Sequence, residues 1–219
     1  MRNRHIILFA AAVFLLSFKV SQAQNSQRFE QEVDSIVAHN LTVDRNNLII
    51  FTGSSSIRMW NTLKADFPKH NVVNLGFGGS EMADLLYYAD KIILQFKPKQ
   101  VFIYEGDNDI TAGRSTEGIL TAADSILAMI RQDLPQTEVV FISPKPSVSR
   151  WHLKAKYETF NKQLQKWAKS KNNVRYADVW TPMLKKNGEV RNDLFLADHL
   201  HMNEKGYAIW TAQLKKYLK

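Results

Sequence analysis

The chain has 219 residues, 45% of them apolar and 11% aromatic, which suffices for one sizeable core and points to a single domain. It contains no cysteine, which excludes thiol nucleophiles, thiolate metal sites and disulfide-based redox roles. Formal charge is +8, and the lysines at 154, 156, 162, 166, 169 and 171 fall at helical spacing on what reads as a solvated face. No aromatic-basic platform accompanies them, so no nucleic-acid partner is expected.

Arg2, Arg4 and His5 open the chain, Ile6 to Phe18 form an apolar run interrupted by Ser17, and Ser21-Gln22-Ala23 offers small residues at the positions a signal peptidase reads. Residues 1–23 therefore read as a signal peptide and 24–219 as an exported domain, periplasmic or secreted. The alternative is an uncleaved N-terminal anchor. The apolar run is short for a membrane span, so no stable insertion is expected after cleavage. Removing the three basic residues Arg2, Arg4 and Lys19 lowers the net charge from +8 to +5.

Phe29, Val33, Ile36, Val37 and Leu41 recur at helical spacing and predict an amphipathic helix over 26–44. Leu48 to Thr52 is a short apolar run ending in Gly53-Ser54-Ser55-Ser56, after which helix-compatible residues begin: a buried strand, a tight turn and a helix. The same grammar repeats. A strand at 71–75 ends in Gly76-Phe77-Gly78-Gly79-Ser80, and a helix starts near Glu81. A strand at 101–105 ends in Gly106-Asp107-Asn108-Asp109, and Ile119 to Ile130 form the next helix. Val139 to Ser143 is a fourth strand, closed by Pro144 and Pro146. A long amphipathic helix over 151–171, a strand at 174–178 and a last helix over 203–218 complete the chain. Short apolar strands alternating strictly with helices predict a three-layer α/β/α domain around five parallel strands.

In such a sheet ligands bind beyond the carboxyl ends of the strands. Three of those ends carry glycine with small polar residues, and Leu196-Ala197-Asp198-His199-Leu200-His201-Met202-Asn203 precedes the last helix. A serine hydroxyl attacks an acyl carbon only if a histidine removes its proton and a carboxylate orients that histidine. Asp198 and His201 are three residues apart, a spacing that one helical turn would bring to the same side.

These blocks resemble, in order, those of the SGNH hydrolases, the GDSL esterase/lipase family, across essentially the whole mature domain. The resemblance implies a flavodoxin-like SGNH hydrolase fold and a serine carboxylester hydrolase. It implies Ser55 as nucleophile, His201 as general base and Asp198 as its orienting carboxylate. The oxyanion hole would be the Ser55 and Gly79 amides and the Asn108 side chain, with no cofactor and no metal. Small-molecule, glycan or lipid esters would be the substrates. Ser54 stands where the family has an aspartate, a departure expected to tune the loop. A catalytically silent carbohydrate- or lipid-binding domain on the same fold is the alternative.

The plainer readings belong beside these. Ser54 and Ser56 read as helix caps, Asp107 and Asp109 as turn and capping residues. Arg58, Trp60, Arg150 and Trp151 read equally as substrate entrance or surface packing, and His39, His70 and His152 as surface residues. Asp198, His199 and His201 lack further ligands at a spacing usable for a metal. Gly76-Phe77-Gly78-Gly79 does not fit a dinucleotide fingerprint. A histidine base must be neutral, so activity is expected to fall below roughly pH 6 to 7. Oligomeric state is not encoded in any pattern here.

Overall fold

A computed structural model describes residues 26–219. The segment read as a signal peptide lies outside the described residues. Among those residues, no helix is long and apolar enough to cross a membrane.

Five strands form one sheet, all parallel: β1 (Ile49–Gly53), β2 (Val72–Gly76), β3 (Gln100–Tyr104), β4 (Glu138–Ile142) and β5 (Val174–Ala177), in the order β2-β1-β3-β4-β5. Side chains alternate across a strand, and both faces here are apolar. One set (Ile50, Leu75, Ile103, Phe141) packs under four helices: α1 (Glu30–Asn40), α4 (Met82–Tyr87), α7 (Thr116–Asp133) and α8 (Lys154–Lys169). The other set (Phe51, Phe102, Tyr104, Ile142) packs under α2 (Ser55–Arg58), α3 (Leu63–Asp66) and α9 (Glu204–Leu214). Short helices α5 (Ala89–Ile92) and α6 (Asp107–Thr111) complete the set. Phe51 and Phe102 stack at 4.3 Å between ring centres, and Trp60 meets Phe51 edge-on. Each such buried ring contributes about 1.5–3 kcal/mol by leaving water. The three-layer α/β/α architecture is as the strand-helix alternation predicts.

The sequence's single helix after β1 is two short ones. Trp60 sits between them with 1% of its surface exposed, and its indole donates to Asp66 Oδ2 at 2.6 Å. It belongs to the core and not to a substrate entrance.

The carboxyl ends of β1, β2 and β3 are sewn together. Phe77 N donates to Gly53 O at 2.9 Å and Ser54 N to Tyr104 O at 3.1 Å. Gly53 has φ +127°, and a Cβ there would lie 2.0 Å from the Tyr104 carbonyl oxygen, so only glycine lets the chain turn off β1 against β3. Asn74, inside β2, donates its amide to Ile57 O at 2.6 Å and accepts from Gly76 N at 3.0 Å. It thereby pins the helix that starts at Ser55.

Candidate active site

Ser55 is the first residue of α2, directly beyond the β1 carboxyl end, and its hydroxyl lies 3.1 Å from His201 Nε2. The other ring nitrogen, Nδ1, lies 2.5 Å from Asp198 Oδ2. The remaining oxygen, Asp198 Oδ1, accepts the backbone amides of Leu200 and His201, each at 2.9 Å. The approach of Asp198 to His201 is thus an Asx turn, with His199 at φ +56°, and not the helical turn suggested by the spacing. Burial works against the Asp198 charge, but hydrogen bonds from the His201 ring and the two amides outweigh it and hold the carboxyl at about 2. It therefore stays ionised through the neutral range. An imidazole held between a hydroxyl and a carboxylate can take the hydroxyl proton and stabilise the resulting positive ring.

The oxyanion candidates come from the two neighbouring strand ends. Gly79 has φ +77°, a left-handed conformation that glycine adopts without strain, and faces open space. Asn108, in the first turn of α6, donates Nδ2 to Ser80 O at 2.9 Å and accepts from Arg150 Nη2 at 3.1 Å through Oδ1. The site is open: the Asp198 and His201 side chains are 46% and 25% exposed. Among the described residues, no group of three or more His, Cys, Asp or Glu is placed to hold a metal ion.

Ser54 is the N-cap residue of α2, buried, yet its hydroxyl makes no capping hydrogen bond. Its expected role as a side-chain cap is therefore not realised. Asp109 does cap: its carboxylate accepts Gly106 N and Met82 N, each at 3.0 Å. Asp107 is no turn residue. It lies buried, accepting from Tyr104 Oη at 2.9 Å, from Arg150 Nη1 at 2.6 Å and from Tyr157 Oη, with Lys145 Nζ 3.5 Å away. Arg150 serves this cluster, Trp151 stacks on Trp180 at 6.0 Å, and Arg58 pairs with Glu32 at 3.4 Å on the surface.

The description of the family whose model matches residues 34–209 is GDSL-like lipase/acylhydrolase. The chain belongs to that family. It is a serine ester hydrolase on the SGNH hydrolase fold. Solved structures agree on that fold. A GDSL-like lipase from Bacteroides thetaiotaomicron superposes with TM-score 0.73 at 18% identity, covering 90% of this chain and 98% of that one. A carbohydrate esterase family 3 protein from Talaromyces cellulolyticus gives 0.67 at 19%, covering 79% and 96%. An acetylxylan esterase from Geobacillus stearothermophilus, solved as a catalytic mutant, gives 0.65 at 13%, covering 79% and 94%. No curated protein matches the sequence.

Sequence reasoning about this GDSL-family enzyme missed Lys145, Tyr157 and Glu105. Lys145 is 1% exposed and donates to Leu200 O at 2.8 Å, joining the His201 loop to Asp107. A lone cation between Pro144 and Pro146, just past an apolar strand, was the available signal. Tyr157 falls on the apolar stripe of α8, and that spacing says nothing of what its hydroxyl meets.

Glu105 is fully buried just past β3. Ser80 Oγ donates to its Oε1 at 2.6 Å, and its Oε2 has no hydrogen-bond partner among the described residues. Burial, then the neighbouring Asp109, push its carboxyl well above the ordinary range. Burial likewise raises Asp109 to about 7. Folded-state values raised above unfolded ones mean that the native state holds extra protons. Their stabilisation is complete below about pH 4 and is lost as pH rises through the raised values. Glu105→Gln keeps the contact with Ser80 and cannot titrate. Denaturant unfolding at pH 5 and pH 8 should show a smaller loss of stability in this variant than in the parent. Equal losses would mean that Glu105 is ionised in the folded protein.

Proposed function

We propose that the protein is an exported carboxylester hydrolase acting through a Ser55-His201-Asp198 triad and an acyl-enzyme, on short acyl esters of bulky alcohols such as acetylated carbohydrates. The observation that carries the mechanism is the continuous path from the Ser55 hydroxyl through the imidazole to Asp198, at 3.1 and 2.5 Å. Ser55 Oγ attacks the acyl carbon while His201 Nε2 takes the hydroxyl proton. The Ser55 and Gly79 amides and Asn108 Nδ2 receive the negative oxygen. His201 returns the proton to the departing alcohol, and water then releases the acid by the reverse roles. An intact path of this kind favours catalysis over a silent binding domain.

The open site supports the choice of substrate, since a half-exposed Asp198 at the rim leaves room for a large alcohol outside the sheet edge. The fold shared with a carbohydrate esterase and an acetylxylan esterase is consistent with it. A panel of acetylated sugars, short and long nitrophenyl esters and lysophospholipid tests it. The acetylated sugars should lead in kcat/KM, and a clear preference for long acyl chains would overturn the substrate class. Asn108→Ala should cost ~10²–10³ in turnover, as removal of one oxyanion donor does elsewhere. Activity within a few-fold of the parent would remove Asn108 from the oxyanion hole. Export rests on the reading of residues 1–23, and an exported form beginning at Gln24 is its check.

A further inference from the structure

Arg150 lies on the loop between β4 and α8, a segment separate from the four blocks that carry the candidate catalytic groups. One arm of its guanidinium, Nη1, donates to Asp107 Oδ1 at 2.6 Å and to the Asp107 carbonyl at 3.1 Å. The other arm, Nη2, donates to Asn108 Oδ1 at 3.1 Å. Its side chain is only 16% exposed, so this cation acts through a medium of low effective dielectric and not through water. From these contacts we propose that Arg150 is a positioning residue that fixes and polarises the Asn108 carboxamide as an oxyanion donor.

The chemistry follows from the amide. A guanidinium can only donate, so its contact requires the carbonyl oxygen of Asn108 on that side and the amino group on the other. One Nδ2 hydrogen is spent on Ser80 O at 2.9 Å, which leaves the second for the substrate oxygen. A cation hydrogen-bonded to the carbonyl draws electron density from the nitrogen and strengthens its remaining N–H as a donor, the cooperative effect of linked hydrogen bonds. Asp107 holds the Nη1 arm through both its carboxylate and its carbonyl, so the orientation exists before substrate arrives. The inference rests on the proposed role of Asn108 in the oxyanion hole.

A double-mutant cycle on the full enzyme tests it, with nitrophenyl acetate as probe and kcat and KM measured separately. Arg150→Ala should lower kcat by about 10-fold, a part of what loss of the donor itself costs, with KM nearly unchanged. In an Asn108→Ala background the same change should cost less than about 2-fold, because the group it acts on is gone. Arg150→Lys keeps a cation beside Asp107 but cannot fork to both partners. It should restore thermal stability without restoring kcat, and it carries the same cycle if the alanine variant fails to fold. Full, additive losses in both backgrounds would overturn the proposal while leaving Asn108 in place. An Asn108→Ala enzyme of parental activity would remove the oxyanion reading itself.

Discussion

Replacing Ser55 by alanine is expected to cut ester turnover by on the order of 10⁴–10⁶ while leaving the fold intact, as loss of the nucleophile does in other serine hydrolases. In the proposed mechanism the hydroxyl carries the covalent step, and the oxyanion donors alone would sustain only a small residual rate. The structural cost should be slight. Among the described residues, the side-chain partner of Ser55 Oγ is His201 Nε2, and alanine is an acceptable first residue of α2. Activity on nitrophenyl acetate, the melting temperature and labelling by a fluorophosphonate probe form the measurement. The parent should carry the adduct on Ser55 and the variant none. If Ser54→Ala abolishes activity while Ser55→Ala does not, the nucleophile is the neighbouring serine.

Asp107→Ala is expected to produce the largest loss of stability, about 3–5 kcal/mol, because it leaves two partly or wholly buried cations without their shared counter-charge. For a domain of this size that is a melting temperature lower by roughly 6–20 °C. Burial alone would raise the Asp107 carboxyl, but Lys145, Arg150 and Tyr157 overcome it and hold it at about 2. A depressed folded-state value means stability that is present above the ordinary carboxylate range and lost as pH falls toward 2. Asp107→Asn keeps the shape and not the charge, so it should fall nearly as far. Combining it with Lys145→Met should recover part of the loss, since the most buried cation, 1% exposed, is then gone. A melting temperature within 2–3 °C of the parent for Asp107→Ala would mean that the cluster contributes little to folding.

The sheet was legible because four of its five strands are short apolar runs closed by glycine or proline, and the strand ends named the candidate site because small polar residues there have no packing reason to be present. Ser55, Asp198 and His201 meet as the order of blocks suggests. Other features follow from side-chain direction, which spacing does not encode. Asp198 reaches His201 through an Asx turn with a left-handed His199, where the same three-residue interval suggested a helical turn. Ser54 sits at a capping position without a capping hydrogen bond from its side chain, and Trp60 turns inward to Phe51 and Trp210. Asp107 and Arg150 are 43 residues apart, and nothing local to either discloses that they share two hydrogen bonds and a common neighbour in Asn108.

Ser55 and His201 are separated by 146 positions and belong to opposite ends of the described chain. Closing so long a loop is entropically unfavourable until the intervening strands have paired, which places the meeting of the two groups late in folding. Recovered turnover during refolding should therefore report completion of the last step, lagging behind far-ultraviolet signals of secondary structure. A chain that has not finished folding would therefore be chemically inert toward the esters it meets.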